Sequence, residues 1–335
     1  MFKLCIFKTG VFASVLLLLV NSLAYGQVPD WKIDLDEQAI DSLAQVDYPY
    51  VFPFFAQNVV RKGFDLPYPV GISFNYYQHN MGVLVDELAL GINESPLMPV
   101  AFFEFNEITD KVRAMSGRLD LWLFPFFNIY GVVGQLAIDA DVTIAAPFPL
   151  ETKVDMDGLT YGGGGVFAFG LQQFWTTVDG NFVWNDLDAY NEAIKARTLS
   201  FRLGRTFGIV KNDRLQVWLG AMYQNVDSEV IGKYLLSDIV SEDMYAIFAD
   251  YQNSEWYNDL DPAEQVFVDG LIATIQQGDP TTELNYQVHQ HPEDDWHMLA
   301  GAQYEVSKRW FIQVEGGFLG SRTSILSNIN YRFPL

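Results

Sequence analysis

From Trp296 to the last residue, Leu335, apolar and polar side chains alternate with a period of two. Trp296, Met298, Ala300, Ala302, Tyr304 and Val306 share one phase, against His297, Gln303 and Glu305 on the other. Trp310, Ile312, Val314 and Phe318 then oppose Gln313 and Glu315, and Ile325, Ile329, Tyr331, Phe333 and Leu335 oppose Asn328, Asn330 and Arg332. Successive side chains on a strand point to opposite faces, so this period specifies strands with one apolar face. A sandwich would turn that face inward; a membrane barrel would turn it toward lipid. Strands of up to ~15 residues exceed the ~5–6 usual in soluble sheets. Glycines on the polar phase (Gly162, Gly164, Gly170, Gly220, Gly301) and aromatics near strand ends (Trp184, Phe207, Trp296, Trp310, Tyr331) both suit a closed barrel with interfacial girdles. The expected fold class is therefore all-β: a closed antiparallel up-and-down transmembrane β-barrel.

Residues 1–26 read as a secretory signal peptide: Lys3 and Lys8, an apolar run from Val11 to Val20, then Ala24 and Gly26 before a cleavage point. The run is shorter than the ~20 apolar residues a spanning helix requires. The single cysteine, Cys5, falls inside this leader, which leaves no disulfide in the mature chain. The formal net charge is −22, which excludes a nucleic-acid partner, since that requires a basic face. Half of the residues are hydrophobic, too many for disorder, yet no second long apolar run occurs.

Strand parity orders the rest. Barrels of this class carry an even number of strands, with short turns on the periplasmic side and longer loops outside. Ten strands are expected, at 71–90, 109–124, 126–145, 160–172, 174–187, 195–209, 214–232, 294–307, 310–322 and 324–335; extra strands within 81–105 would make twelve. In 126–145, Tyr130, Val132, Leu136, Ile138, Val142 and Ile144 are assigned to lipid, and Gln135, Asp139 and Asp141 to the lumen. Arg205 falls on the lipid-facing phase and implies either snorkelling or a bulge. Residues 27–68, which include a short amphipathic helix over Asp34–Val46, form a periplasmic lead-in or a plug; the barrel occupies 69–335.

RLDLWLFPFFNIYG (118–131), TYGGGGVFAFG (160–170) and VWLGAMYQ (217–224) resemble segments of an uncharacterised, porin-like outer-membrane β-barrel family of Gram-negative bacteria. The resemblance runs over roughly 70–335. It implies a fold and a location in the cell outer membrane, with membrane lipids as surroundings, and it carries over no catalytic residue. The last strand also resembles the signal read by the barrel-assembly machinery, with Tyr331 and Phe333 in place and Leu335 where a terminal Phe is usual.

Seven inward ionisable residues are expected in the lower half of the lumen: Arg118, Asp120, Asp179, Arg202, Glu305, Glu315 and Arg332. Three cations beside four anions form either an ion-pair network that fills the bore or a charged constriction that filters solutes. Inward Trp122, Trp218 and Met222 narrow it. The long connection 233–293 is expected outside the membrane with two helices, over 235–251 and 261–278. Asp261-Pro262-Ala263-Glu264 supplies an N-cap, a first-turn proline and a capping-box acid to the second. His289, His291 and His297, with nearby carboxylates, are candidate metal ligands at the mouth; the other reading is a polar loop. His79, Ser73 and Asn75 lie along one strand face instead of converging on a nucleophile, and no G-x-S-x-G occurs, so an enzyme is not expected. No cofactor is called for. The functional expectation is passive passage of small solutes through a narrow charged lumen. A non-conducting barrel with a structural or partner-binding role is the alternative, and a lipid-modifying enzyme the second alternative. Neither solute nor protein partner is named by the sequence.

Overall fold

The computed structural model describes residues 47–61, 66–102, 104–146, 150–171, 174–188, 192–210, 213–235, 248–277, 279 and 281–335. Within them run β1 (Val70–Ile92), β2 (Met98–Pro99), β3 (Glu104–Phe124), β4 (Phe127–Ala146), β5 (Leu150–Leu171), β6 (Phe174–Leu187), β7 (Ile194–Val210), β8 (Asp213–Leu235), β9 (Glu283–Pro292), β10 (Trp296–Glu305), β11 (Trp310–Phe318) and β12 (Arg322–Phe333). The helices are α1 (Ala56–Val60), α2 (Glu255–Asn258) and α3 (Pro262–Gln277).

Ten of these strands close a ring in the order β1-β3-β4-β5-β6-β7-β8-β10-β11-β12, every pair antiparallel. The seam is the pairing of last strand with first, from Val70 opposite Phe333 to Met81 opposite Arg322. The alternation therefore persists to the last strand because that strand must present a lipid face and complete the hydrogen-bond ladder.

Two strands stand outside the expected ten. The connection over 233–293 is not all loop: β8 runs on to Leu235, and β9 takes the place of β10–β12 above their upper ends, where it joins β8 to β1. Above Met81 one edge of β1 passes from β12 to β9, and above Val83 its other edge leaves β3 and meets β2 through Ala89 and Leu90. The second expected helix is α3. The Asp261 carboxylate accepts from the backbone N–H groups of Ala263 and Glu264, and the Glu264 carboxylate accepts from that of Asp261. Most of the first expected helix, and all of Asp34–Val46, lies outside the described residues. Val268, Ile272 and Ile275 of α3 pack with Phe248, and against this core lie Phe102 and the inward-facing Leu284 of β9, so the insertion rests on the long-loop end of the barrel.

The assignment for 126–145 is corrected by the structure. Ile129 and Val133 face outward and are exposed, while Leu136 and Ala140 point inward and are buried. Asp139 and Asp141 lie outside, paired with Arg113 and Lys111 of β3. Tyr130 and Val132 also lie on the inward phase, with Tyr130 bonded to Asp179 in the lower lumen. Higher up, the cause is an inversion of polarity along β3, β4 and β5. On β3 the outward residues are apolar low down, Leu119 and Met115 being more than half exposed, and become Arg113 and Lys111 higher up. Over the same rise the inward residues pass from Asp120 to Val112. Val112, Leu136, Ala140, Met156 and Leu187 form one apolar cluster inside the upper barrel. Below the inversion the wall is solvated by hydrocarbon; above it the strands stand in water and bury their apolar side as a soluble sheet does.

Aromatic pairs mark the two edges of the belt. Tyr161 stacks on Trp184 and Tyr223 meets Trp296 above; Phe127 stacks on Phe167 and Trp310 meets Tyr331 below. From Leu215 to Tyr223 on β8 is about eight residues at ~3.3 Å each, or ~20 Å of height after strand tilt, close to the ~25 Å apolar band of such barrels. Arg205 needs no bulge, since β7 and β8 stay in register from Lys195 to Gly208. Its guanidinium lies over the rings of Phe207 and Phe174 at 4.9 and 5.6 Å, a cation–π arrangement at the lower edge of the belt.

Two outcomes test this architecture. Leu219→Arg, in the belt, is expected to cost about 2–4 kcal/mol if it sits near the bilayer midplane. Asp141→Asn, above the belt, is expected to leave membrane insertion unchanged; urea unfolding in vesicles and heat-modifiable mobility read both. In the insertion, hydrogen bonds from the hydroxyls of Tyr251 and Tyr257 hold the Asp269 carboxyl below its usual range, against an opposing desolvation effect, while burial and Asp269 push Tyr251 up to about 12. A depressed folded-state value means this contribution is complete above the unfolded carboxyl value of ~3.9 and is lost as pH falls through the folded one. Trp256 fluorescence is therefore expected to report loosening of the insertion only in strong acid, with Asp269→Asn loosened at every pH.

Candidate functional site

The polar phase of the lower barrel surrounds a chamber of about 300 Å³. Lys308, in the β10–β11 turn, and Leu66 and Pro67, just before β1, line its lower end, so it reaches the short-turn mouth of the barrel. The segment before β1 is fastened across that mouth. The backbone N–H of Phe54 donates to the carbonyl of Leu123, and the Arg332 guanidinium donates to the carbonyl oxygens of Tyr68 and Pro69.

Side chains converge on the chamber from strands far apart in sequence because ring closure brings their inward phases together. Arg202 of β7 reaches across β8 and β10 to Glu315 of β11 and makes a bidentate pair at 2.6 and 2.8 Å. Trp218 of β8 donates its indole N–H to the same carboxylate at 2.6 Å. Gly301 and Gly204 permit the two inward indoles: a Cβ at either position would collide with Trp218 or Trp175 respectively. A second knot forms where β12, β1 and β3 meet. The Arg332 guanidinium donates to Asp120 at 2.8 Å, Asn128 donates to the same carboxylate at 2.8 Å, and Asn330 donates to Ser73 at 2.7 Å. Glu305 lies 3.9 Å from Arg214. Asp179 accepts from the hydroxyl of Tyr130 at 2.7 Å, and the Arg118 guanidinium lies flat over the Tyr130 ring, 3.6 Å from its centroid.

All seven residues of the expected charged band thus face the lower lumen, and all but Arg118 are engaged in an ion pair or a charge-assisted hydrogen bond of under 3 Å, or, for Glu305, lie near Arg214. Sequence reasoning left out Asn128, Asn330 and Trp175. Trp175 was signalled: it occupies the polar phase of β6, between the outward Phe174 and Thr176. The three candidate metal ligands do not come together. His289 and His291 sit on the outer face of β9, each within 3.3 Å of the Asp86 carboxylate, whereas His297 points into the lumen and is buried. Among the described residues no group of three or more His, Cys, Asp or Glu side chains is placed to hold a metal ion. The physical reason is parity together with the short break between β9 and β10: His289 and His291 share a face two residues apart, and His297 begins on a different strand with the opposite orientation.

Above the chamber the bore is packed. Leu299, His297, His79, Met81 and Arg322 all point inward, and none is more than 7% exposed. Arg322 donates to Gln224 of β8 at 2.5 Å and to the sulfur of Met81 at 2.8 Å. These side chains leave almost no accessible surface at this level, and both ring nitrogens of His79 and His297 and the Nε of Arg322 have no hydrogen-bond partner among the described residues.

No family model and no curated protein matches the chain. Among solved structures it is similar to the β domain of the Bordetella autotransporter BrkA, at 12% identity over 80% of this chain and 100% of that one, with a TM-score of 0.37. The transport unit of the autotransporter AIDA-I from Escherichia coli gives 8% identity over 80% and 90%, with a TM-score of 0.35. The COG4313 outer membrane channel from Pseudomonas putida F1 gives 10% over 80% and 97%, with a TM-score of 0.31. At those scores the barrel rests on its own strand register, not on the likeness.

The central pair supplies a test. Arg202→Ala alone strands a buried carboxylate and is expected to destabilise by about 3–5 kcal/mol, whereas Arg202→Met with Glu315→Leu is expected to cost far less or nothing. Equilibrium unfolding of the three proteins in lipid vesicles measures the difference.

Proposed function

We propose that this chain is a non-conducting outer-membrane barrel whose lower chamber holds a small solute, in place of passing it. One observation carries this reading: the dry layer of Leu299, His297, His79, Met81 and Arg322 between the chamber and the long-loop end. A side chain lining a conducting path is solvated, because ions and polar solutes cross with part of their water. Here the inward residues are at most 7% exposed, and the α3 insertion rests on the same end of the barrel. The chamber, by contrast, is concave, lined by both indoles and charged groups, and reaches the short-turn mouth. These are the attributes of a small-molecule site. Orientation follows from loop length, the short turns facing the periplasm.

Porin-like passage is the second reading, favoured by the charged lining of the chamber. Planar-bilayer recording separates the two. The purified barrel is expected to be silent at neutral pH and moderate voltage. Discrete openings whose amplitude changes in a Leu299→Ala variant, which thins the dry layer, would establish passage and overturn the closed reading.

A further inference from the structure

The charges of the chamber pair off except at Arg118 and Asp179, which meet the same Tyr130 without forming an ion pair with each other. Arg202 is taken by Glu315, Arg332 by Asp120, and Arg214 lies beside Glu305. Asp179 is bonded to the Tyr130 hydroxyl. Arg118 has no carboxylate within 4 Å among the described residues. It makes one long contact, 3.4 Å, to the Asn128 carbonyl oxygen, which is weak for a charged donor, and its Nε has no hydrogen-bond partner. The Tyr130 ring holds the guanidinium carbon 3.6 Å from its centroid, a contact that satisfies none of its N–H donors. A second group points the same way. Trp175 is 8% exposed, lines the chamber, and its indole N–H has no partner. A buried donor without an acceptor costs about 1–3 kcal/mol, and more beside a charge. The Arg118 Nε and the Trp175 N–H themselves have almost no accessible surface, so a ligand entering the chamber meets the weakly bonded outer nitrogen of the Arg118 guanidinium. The remaining walls include Trp122, Trp218 and Phe311, which are broad and apolar.

We infer that the chamber binds a small organic monoanion, a carboxylate on a flat apolar body of one or two rings, with the carboxylate on Arg118 and the ring system among the indoles. The charge follows from Arg118: a guanidinium with no ion-pair partner and one weak hydrogen bond matches one carboxylate with a bidentate fork. A dianion would bring a second charge to a chamber whose other arginines are matched. A neutral solute would leave Arg118 without an ion-pair partner, and the Asp179 carboxylate already has the Tyr130 hydroxyl. The size follows from the ~300 Å³ volume, at the low end of small-molecule sites. The flat body follows from the indoles, since offset ring contacts favour planar partners. This inference rests on the reading of the chamber as a holding site, but not on the barrel being silent.

Calorimetric titration of the full-length barrel in detergent micelles tests it, with indole-3-acetate as the probe and its neutral isostere indole-3-acetamide beside it. Saturable binding of the acid is expected, with the amide at least about tenfold weaker, the size of one charge-assisted interaction. Arg118→Gln is expected to reduce the affinity for the acid by at least about tenfold and to abolish the preference over the amide, while Arg118→Lys keeps part of both. Should Arg118→Gln fail to assemble, as judged by heat-modifiable mobility, Trp175→Phe keeps an aromatic ring on the wall and removes the five-membered ring together with its N–H. It is expected to weaken the acid by about threefold or more. Equal affinity for acid and amide in the wild-type barrel, or no saturable heat up to millimolar probe, overturns the inference. Either result leaves the bilayer recording untouched, and conductance in that recording leaves the acid-over-amide preference standing, so the two readings fail separately.

Discussion

Every peptide group that lies in hydrocarbon must find its hydrogen-bond partner inside the protein, and the rest of this structure depends on that requirement. An unpaired group there costs several kcal/mol, so an open sheet edge is excluded and the chain has to close on itself. The β1–β12 seam meets the requirement with a continuous ladder of twelve residues on each strand. Closure then sets the diameter, and the diameter decides which inward side chains reach one another. Arg202 spans to Glu315, and Arg332 to Asp120, because the wall curves; on an open sheet those residues would be separated by intervening strands.

The same strands serve two solvents. Along β3, β4 and β5 the apolar face passes from outside to inside as the wall leaves the belt, and the charged pairs Lys111–Asp141 and Arg113–Asp139 appear on the outer surface where the belt ends. Period two is conserved through the change; only the sign of the pattern reverses. The reversal places an apolar cluster inside the upper barrel. A lumen that is polar within the membrane becomes an apolar core above it, and an apolar core excludes water. The strand β9 and the α3 insertion extend that packing over β10–β12, which end lower than their neighbours.

Within the belt the inward charges stabilise little in net terms. Bringing an arginine and a carboxylate out of water costs about what their attraction returns, so a buried pair is an inexpensive filler only when both members are present and well bonded. The bidentate Arg202–Glu315 pair, with the Trp218 N–H on the same carboxylate, meets that condition. Arg118 does not, and the contrast between saturated and unsaturated cations on one surface gives the chamber a chemical direction.

The sequence by itself determined the ten ring strands, the outward residues of most of them within the belt and the capping box of α3, because each is a local property: a two-residue period, an aromatic near a strand end, an Asp three residues before a Glu. On 126–145 the expected phase, with Tyr130 and Val132 outward, is wrong, and Ile129 and Val133 stand outside. It also placed the seven charged residues on the inward phase, since parity alone does that. The tertiary structure alone decided the sign of the pattern above the belt, where Leu136 faces in and Asp139 faces out. The reason is that a period carries no label for which side is solvent. It alone decided that β9 bridges β8 and β1, and that His297 stands apart from His289 and His291, since strand order is not written in any local window. It also decided which charges meet. Asp120 and Arg332 are 212 residues apart in the chain, and only the closure of the ring brings them to 2.8 Å.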